Sequence, residues 1–297
     1  MFSITLDSER QYPTHCLLDE SYPSILEIVP ERGGMVTRWQ VQGKEVLYLD
    51  AERFANPHQT VRGGIPILFP ICGGLHQNCY QYQGQQYTLK QHGIARDLPW
   101  TVVQKQTTER AAITLQLTSN AQTLAFYPFE FKLEFTYTLK GNHLEILQRC
   151  THLAGVDTTP ETRMPFAMGL HPYFLAPDKE QLHFEIPALQ YFEQQRGDRH
   201  DFTGSFDSKL EEIDVIFPYP LTGLATIATD RSRNLRIVMS YSCHYANLVF
   251  WMVKGKEYYC LEPWTAPRNA LNTGKLLTYL KPGESCEMAV NLIAMTL

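Results

Sequence analysis

The side chains best suited to chemistry crowd into four short segments of this 297-residue chain, each broken by glycine or proline. In 61–74, Arg62 precedes Gly63-Gly64 and Pro66, and Gly73-Gly74 close the stretch. Such residues fix unusual backbone angles and let a ligand approach the main chain. Taken alone, the stretch reads more simply as a tight turn with a solvated Arg62. In 91–97, Gln91, His92, Arg96 and Asp97 set an amide, an imidazole, a guanidinium and a carboxylate around Gly93. That set can ring a polyhydroxyl ligand with donors and acceptors; a polar loop with an Arg96–Asp97 surface pair explains the composition equally well. In 168–174, Pro172 holds His171 in extended geometry, and a rigid imidazole suits proton transfer, where the alternative is a core histidine bonded to a carbonyl. In 260–274, Glu262 stands between Pro263 and a Tyr/Cys-rich strand, two residues from Trp264. Partial desolvation there raises a carboxyl's proton affinity towards what a general base needs; a salt-bridged strand-end glutamate is the alternative.

The elements that must position these segments have a period of two. Phe129, Phe131, Leu133, Phe135, Tyr137 and Leu139 alternate with polar residues, Gly141-Asn142 make a turn, and Leu144, Ile146, Gln148 and Cys150 alternate again. This predicts an antiparallel hairpin with one apolar face. The same period runs through Leu235–Tyr241 and from Cys286 to Ala294, and Tyr80 to Leu89 reads as a short hairpin about Gly84. The continuous apolar run 248–253 predicts a strand buried on both faces. Helical signals are confined to a turn or two at 121–127 and at 209–213. Many strands and short turns predict an all-β antiparallel sandwich, with 1–297 forming one domain.

Composition narrows the function. The net charge of -5, without a basic run, gives no electrostatic footprint for nucleic acid or an anionic membrane. The N-terminus lacks the pattern of a signal peptide, and no apolar stretch approaches the roughly 20 residues that span a bilayer. Seven scattered cysteines read as reduced thiols, so the expected location is cytoplasmic. A monomer is expected, a weak dimer being the alternative. No phosphate-binding glycine loop, dinucleotide fingerprint or nucleophile elbow occurs. Cys72, His76 and Cys79 have metal-like spacing but no evident fourth ligand, so no metal is expected.

In order, the segments RGGIPILFP, QHGIARDLPW, GLHPYF and LEPWTAPRNALNTG resemble the aldose 1-epimerase superfamily, most nearly its hexose-6-phosphate mutarotase branch. The resemblance extends from about Ser24 to the C-terminus. It implies a galactose mutarotase-like supersandwich without a cofactor, acting on a small sugar or sugar phosphate. It further implies His171 as general acid and Glu262 as general base; the two are expected to project into one cleft from different strands, on opposite sides of the C1–O5 bond. Substrate contacts are implied for Arg62, Gln91, His92 and Arg96, and for Asp214, with Asp207 as the weaker match. The chain departs from the hexose-phosphate branch after LEP, where WTAPRNALNTG replaces a shorter glycine-containing loop. Arg163 and Arg268 are further cations available to a phosphate.

Anomer interconversion needs only these residue types. A base takes the C1 hydroxyl proton while an acid protonates the ring oxygen; the aldehyde turns about C1–C2 and closes with the roles reversed. The alternatives are a non-catalytic carbohydrate-binding sandwich, which needs no His–Glu pair, and a glycosidase or lyase; hydrolysis calls for paired carboxylates.

Overall fold

Alternation along the chain is translated into antiparallel sheets. The computed structural model describes residues 1–153, 159, 162–218 and 225–297. The first five strands, Phe2–Asp7 to Lys44–Glu45, form a consecutive antiparallel meander. A second sheet of eight strands is centred on Ser285–Thr296, His143–His152 and Phe131–Lys140. A third brings Glu212–Pro218, Asn247–Val253, Tyr258–Trp264, Gly169–Leu170 and Ile67–Leu68 side by side, with Tyr173–Leu175 also paired to Tyr258–Trp264.

Strand Phe131–Lys140 shows why the sheets stack. Phe131, Leu133, Phe135, Tyr137 and Leu139 are fully buried, while Lys132, Glu134 and Thr136 on the other face are half-buried. Burying each large apolar side chain contributes about 1.5–3 kcal/mol, so this one strand commits strongly to a single face. All three large sheets send residues into one hydrophobic core, which includes Trp39, Phe135, Phe217, Phe250 and Leu261. Aromatic pairs bridge the two eight-stranded sheets, as in Phe184 against Phe250 with centroids 5.1 Å apart. The expected β-sandwich is the observed architecture.

The hairpins expected about Gly141 and Gly84 are present, as Phe131–Lys140 with His143–His152 and as Cys79–Tyr82 with Gln85–Thr88. The helical turn expected at 121–127 is Ala121–Leu124, started by an Asn120 capping box. The turn expected at 209–213 is not helical. Asp207 accepts a hydrogen bond from the Lys209 amide in a short turn, and Glu212 opens a strand that sends Ile213, Val215 and Phe217 into the core. Alternating burial overrides the weak local helical preference there.

Candidate active site

The strand Tyr258–Trp264 is buried along its whole length. Tyr259 and Leu261 join the main core, so Tyr258, Cys260, Glu262 and Trp264 face the opposite side of the sheet. Register then assembles a row across that side: Asp214 opposite Trp251, Trp251 opposite Cys260, Cys260 opposite Tyr173. Two residues along, Ile216, Val249 and Glu262 form the next row. His171 enters from between Gly169–Leu170 and Tyr173–Leu175, with its amide donating to the Pro66 carbonyl at 3.0 Å.

His171 and Glu262 meet. The imidazole Nε2 lies 3.2 Å from Glu262 Oε1, with His171 4% and Glu262 2% exposed. The two come from different segments and are brought side by side because Gly169 and Tyr173, flanking His171, pair with the strand that carries Glu262. Glu262 Oε2 accepts a 3.1 Å hydrogen bond from the Trp264 indole. His171 stacks on Tyr173, with centroids 4.6 Å and planes 7° apart, and meets the edge of Trp251 at 5.8 Å.

Burial drives the proton affinities of the pair towards each other. It holds the Glu262 carboxyl well above its ordinary 4.5; the Asp214 carboxylate adds to this, while the Trp264 bond, Arg96 and Arg268 oppose it. Burial pushes His171 well below its ordinary 6.5, helped by the Arg96 and Arg62 charges. In water the imidazole holds a proton more tightly than the carboxyl, and burial acts against that order at both groups. Their contact gives a proton a direct path between them, as acid–base catalysis requires.

The RGG and QHG segments close around this pair. A Cβ on Gly63 would lie 2.5 Å from Leu49 Cα, so only glycine lets the segment press in beside Arg62. The Arg62 guanidinium sits 4.9 Å from the centre of the Trp251 ring and donates to the Tyr173 hydroxyl at 3.3 Å. At Gly93, whose φ is 74°, a Cβ would fall 2.1 Å from the Phe69 carbonyl oxygen, which pins the QHG loop. His92 is clamped to Gly73 twice: its amide donates to the Gly73 carbonyl, and its Nδ1 accepts from the Gly73 amide at 3.1 Å. Burial and the nearby Arg96 hold His92 well below 6.5. It is thus a neutral imidazole carrying its proton on Nε2, 5.5 Å from the His171 ring, centre to centre.

Arg96 belongs to two places. It is close enough to Glu262 and His171 for its charge to act on both. It also lines a cleft of about 710 Å³ together with Gln91, Lys90, Asp97, Arg32 and Thr123. His171 and Glu262 are not among the walls of that cleft. Gln91 is exposed there and touches Arg96 through its backbone carbonyl at 2.9 Å. Among the described residues, neither Arg62 nor Arg96 forms an ion pair.

Asp214 lies on the site face but is already engaged. Its Oδ2 meets Arg268 Nη2 at 3.1 Å, its Oδ1 accepts from Gln194 Nε2 at 2.5 Å, and Arg268 Nε donates to Gln194 Oε1 at 2.8 Å. Asp207 is exposed and caps its own turn. Arg163 is exposed just before Met164–Phe166, a strand paired with Thr278–Leu280 outside the sheet that carries the site. Sequence reasoning missed Tyr173, Trp251 and Gln194; period-two alternation of the buried run would have put Trp251 on the Val249 face. The Cys72, His76 and Cys79 set does not converge. Cys72 is buried against Trp264 and Ala167, and Cys79 Sγ lies 3.7 Å from Thr88 Oγ1.

The β-sandwich thus holds a buried imidazole–carboxylate pair on one sheet face, with Arg62 and the rings of Tyr173 and Trp251 packed beside it. The aldose 1-epimerase family profile matches residues 26–292, and the chain belongs to that family. Protein LacX (plasmid) of Lactococcus lactis subsp. lactis is 26% identical over 243 residues, covering 72% of this chain and 78% of its own. A protein of Escherichia coli (strain K12) named "Putative glucose-6-phosphate 1-epimerase" is 23% identical, covering 82% and 76%. The crystal structure of Slr1438 from Synechocystis sp. PCC 6803 superposes with a TM-score of 0.92 at 44% identity over 100% of both chains. No helix among the described residues is long and apolar enough to cross a membrane.

Proposed function

We propose that this chain interconverts the α and β anomers of a hexose or hexose 6-phosphate, with Glu262 as general base and His171 as general acid. The observation that carries this reading is the 3.2 Å contact between two buried groups of converging proton affinity. Their side-by-side placement suits a hemiacetal, whose hydroxyl and ring oxygens share one carbon. Glu262 takes the proton from the C1 hydroxyl as His171 delivers one to the ring oxygen, and C1–O5 opens to the aldehyde. After rotation about C1–C2, His171 recovers its proton from the C5 hydroxyl, which attacks the other face, and Glu262 returns its own to the new C1 oxygen. Atoms and charge balance over the cycle, and no redox step is involved.

In this reading Arg62, His92 and Arg96 hold the sugar, Gln91 lines the approach, and Asp214 acts chiefly by orienting Arg268 and raising Glu262. Two guanidiniums that form no ion pair among the described residues favour an anionic substituent on the sugar, and guanidinium suits phosphate in charge and geometry. The whole of 1–297 would serve as one catalytic unit, working as a monomer in the cytoplasm.

Exchange spectroscopy with a panel of free and 6-phosphorylated hexoses tests the proposal. Exchange above background with at least one hexose is required. Turnover of free glucose or galactose as efficient as that of its 6-phosphate would overturn the phosphate preference and leave a general aldose 1-epimerase. Sugar binding without exchange would favour a carbohydrate-binding module.

A further inference from the structure

We propose that His171, Cys260 and Glu262 together form an inhibitory site for a soft divalent cation, with Zn²⁺ as the probe. Cys260 and Glu262 are two residues apart on one strand, so their side chains leave the same face, and His171 reaches that face from the adjoining segment. One ligand atom from each residue lies within 4.8 Å of the others, and among the described residues no other set of histidine, cysteine and carboxylate side chains converges in this way. In a tetrahedral zinc site, bonds of about 2.0–2.3 Å hold neighbouring ligand atoms about 3.3–3.8 Å apart. Small side-chain adjustments close the difference.

The donor set selects the ion. A thiolate, an imidazole and one carboxylate suit zinc and its neighbours, whereas calcium and magnesium call for a shell of oxygens. Charge points the same way. A thiolate and a carboxylate balance a dication, and the imidazole joins neutral, so the filled site adds no net charge beside Arg62 and Arg96. On binding, the Cys260 thiol proton and the proton held by the His171–Glu262 pair both leave to solvent, the sulfur, the imidazole nitrogen and a carboxylate oxygen each donate an electron pair to the ion, and the His171–Glu262 contact gives way to two metal bonds. A fourth position stays open for water.

Anomer exchange has no use for Cys260, which separates this site from the reaction. The inhibitory consequence rests on the proposed roles of His171 and Glu262; the binding does not. Metal-free protein is titrated with Co²⁺, then with Zn²⁺, while absorption and hexose exchange are followed. The expected result is a thiolate-to-cobalt charge-transfer band saturating at one equivalent and bleached by Zn²⁺. Exchange is expected to fall in step with Zn²⁺ occupancy and to return with a chelator. Cys260→Ser, close in volume, and Cys260→Ala are each expected to remove the band and raise the Zn²⁺ needed for half-inhibition at least tenfold, with wild-type exchange in metal-free buffer. Cys243→Ser, at an exposed thiol, should keep both responses. A wild type without the band, or a band that survives in folded Cys260 variants, overturns the site. A Cys260-dependent band without inhibition leaves the site standing and removes the inhibitory role together with the proposed roles of His171 and Glu262.

Discussion

Replacing Trp264 by Phe probes how the carboxylate is held. The indole Nε1 donates to Glu262 Oε2 at 3.1 Å inside a site where both residues are 2% exposed. A hydrogen bond to a charged group contributes about 1.5–3 kcal/mol, and each 1.4 kcal/mol of barrier is about tenfold in rate. Phe keeps an aromatic ring against Cys72, Ala167 and Val249 but removes the donor, making the carboxylate costlier and freeing it to turn. Exchange is expected to slow by about ten- to a hundredfold at saturating substrate, with little change in KM. The smaller ring also leaves a void that lowers stability by about 1–3 kcal/mol, so the assay is run well below the melting transition. Two-dimensional exchange NMR reads the rate, corrected for uncatalysed mutarotation. The decisive comparison is a double-mutant cycle with Glu262→Gln. If Trp264 acts through Glu262, Trp264→Phe costs nothing further once Glu262→Gln is in place. A full additional loss in the double variant, or wild-type exchange in the Trp264→Phe single variant, refutes the reasoning.

Two further perturbations reach other parts of the account. Arg62→Met removes a cation that pairs with no carboxylate among the described residues; it should raise KM for a hexose 6-phosphate about tenfold or more while changing KM for the free hexose far less, a split read by steady-state exchange with both substrates. Asp19 governs part of the acid stability: burial opposes its ionisation, but donors from the Ser21 hydroxyl and the Gly141, Ser21 and Tyr22 amides together hold its carboxyl below the ordinary 3.8. The unfolded chain therefore takes up this proton first as pH falls. The stabilisation is complete above the ordinary value and is lost as pH drops through the lower folded value. Urea midpoints measured across that window should fall more steeply for wild type than for Asp19→Asn, whose stability at neutral pH should be about 1–3 kcal/mol lower.

Much of this was legible in the residues. Alternation from Phe131 to Leu139 marks a strand because each apolar side chain has only one face on which to be buried. Glycines and prolines marked the site segments because, as at Gly93 against Phe69, the backbone packs where no Cβ fits. What the chain could not disclose is pairing across distance. The resemblance implies a sugar contact for Asp214, but no spacing discloses its bonds to Arg268 and Gln194, 54 and 20 residues away. Tyr173 and Trp251 were missed because only strand register sets them beside Cys260. His171 and Glu262 stood out singly; their direct contact comes from strand pairing that no spacing encodes.

Glu262 is proposed as the base of an anomer-exchanging pair, and Glu262→Gln probes that role without changing the shape of the site. Gln keeps the shape and can still accept from Trp264, but it cannot take a proton. Acid–base groups contribute typically about 10²–10⁴-fold, so exchange should fall by that factor while sugar affinity, measured by titration, changes little. His171→Asn should act alike, and the double variant should be little worse than either, because the two groups work in one step. Near-normal exchange by folded Glu262→Gln protein, after subtraction of the spontaneous rate, would contradict the account.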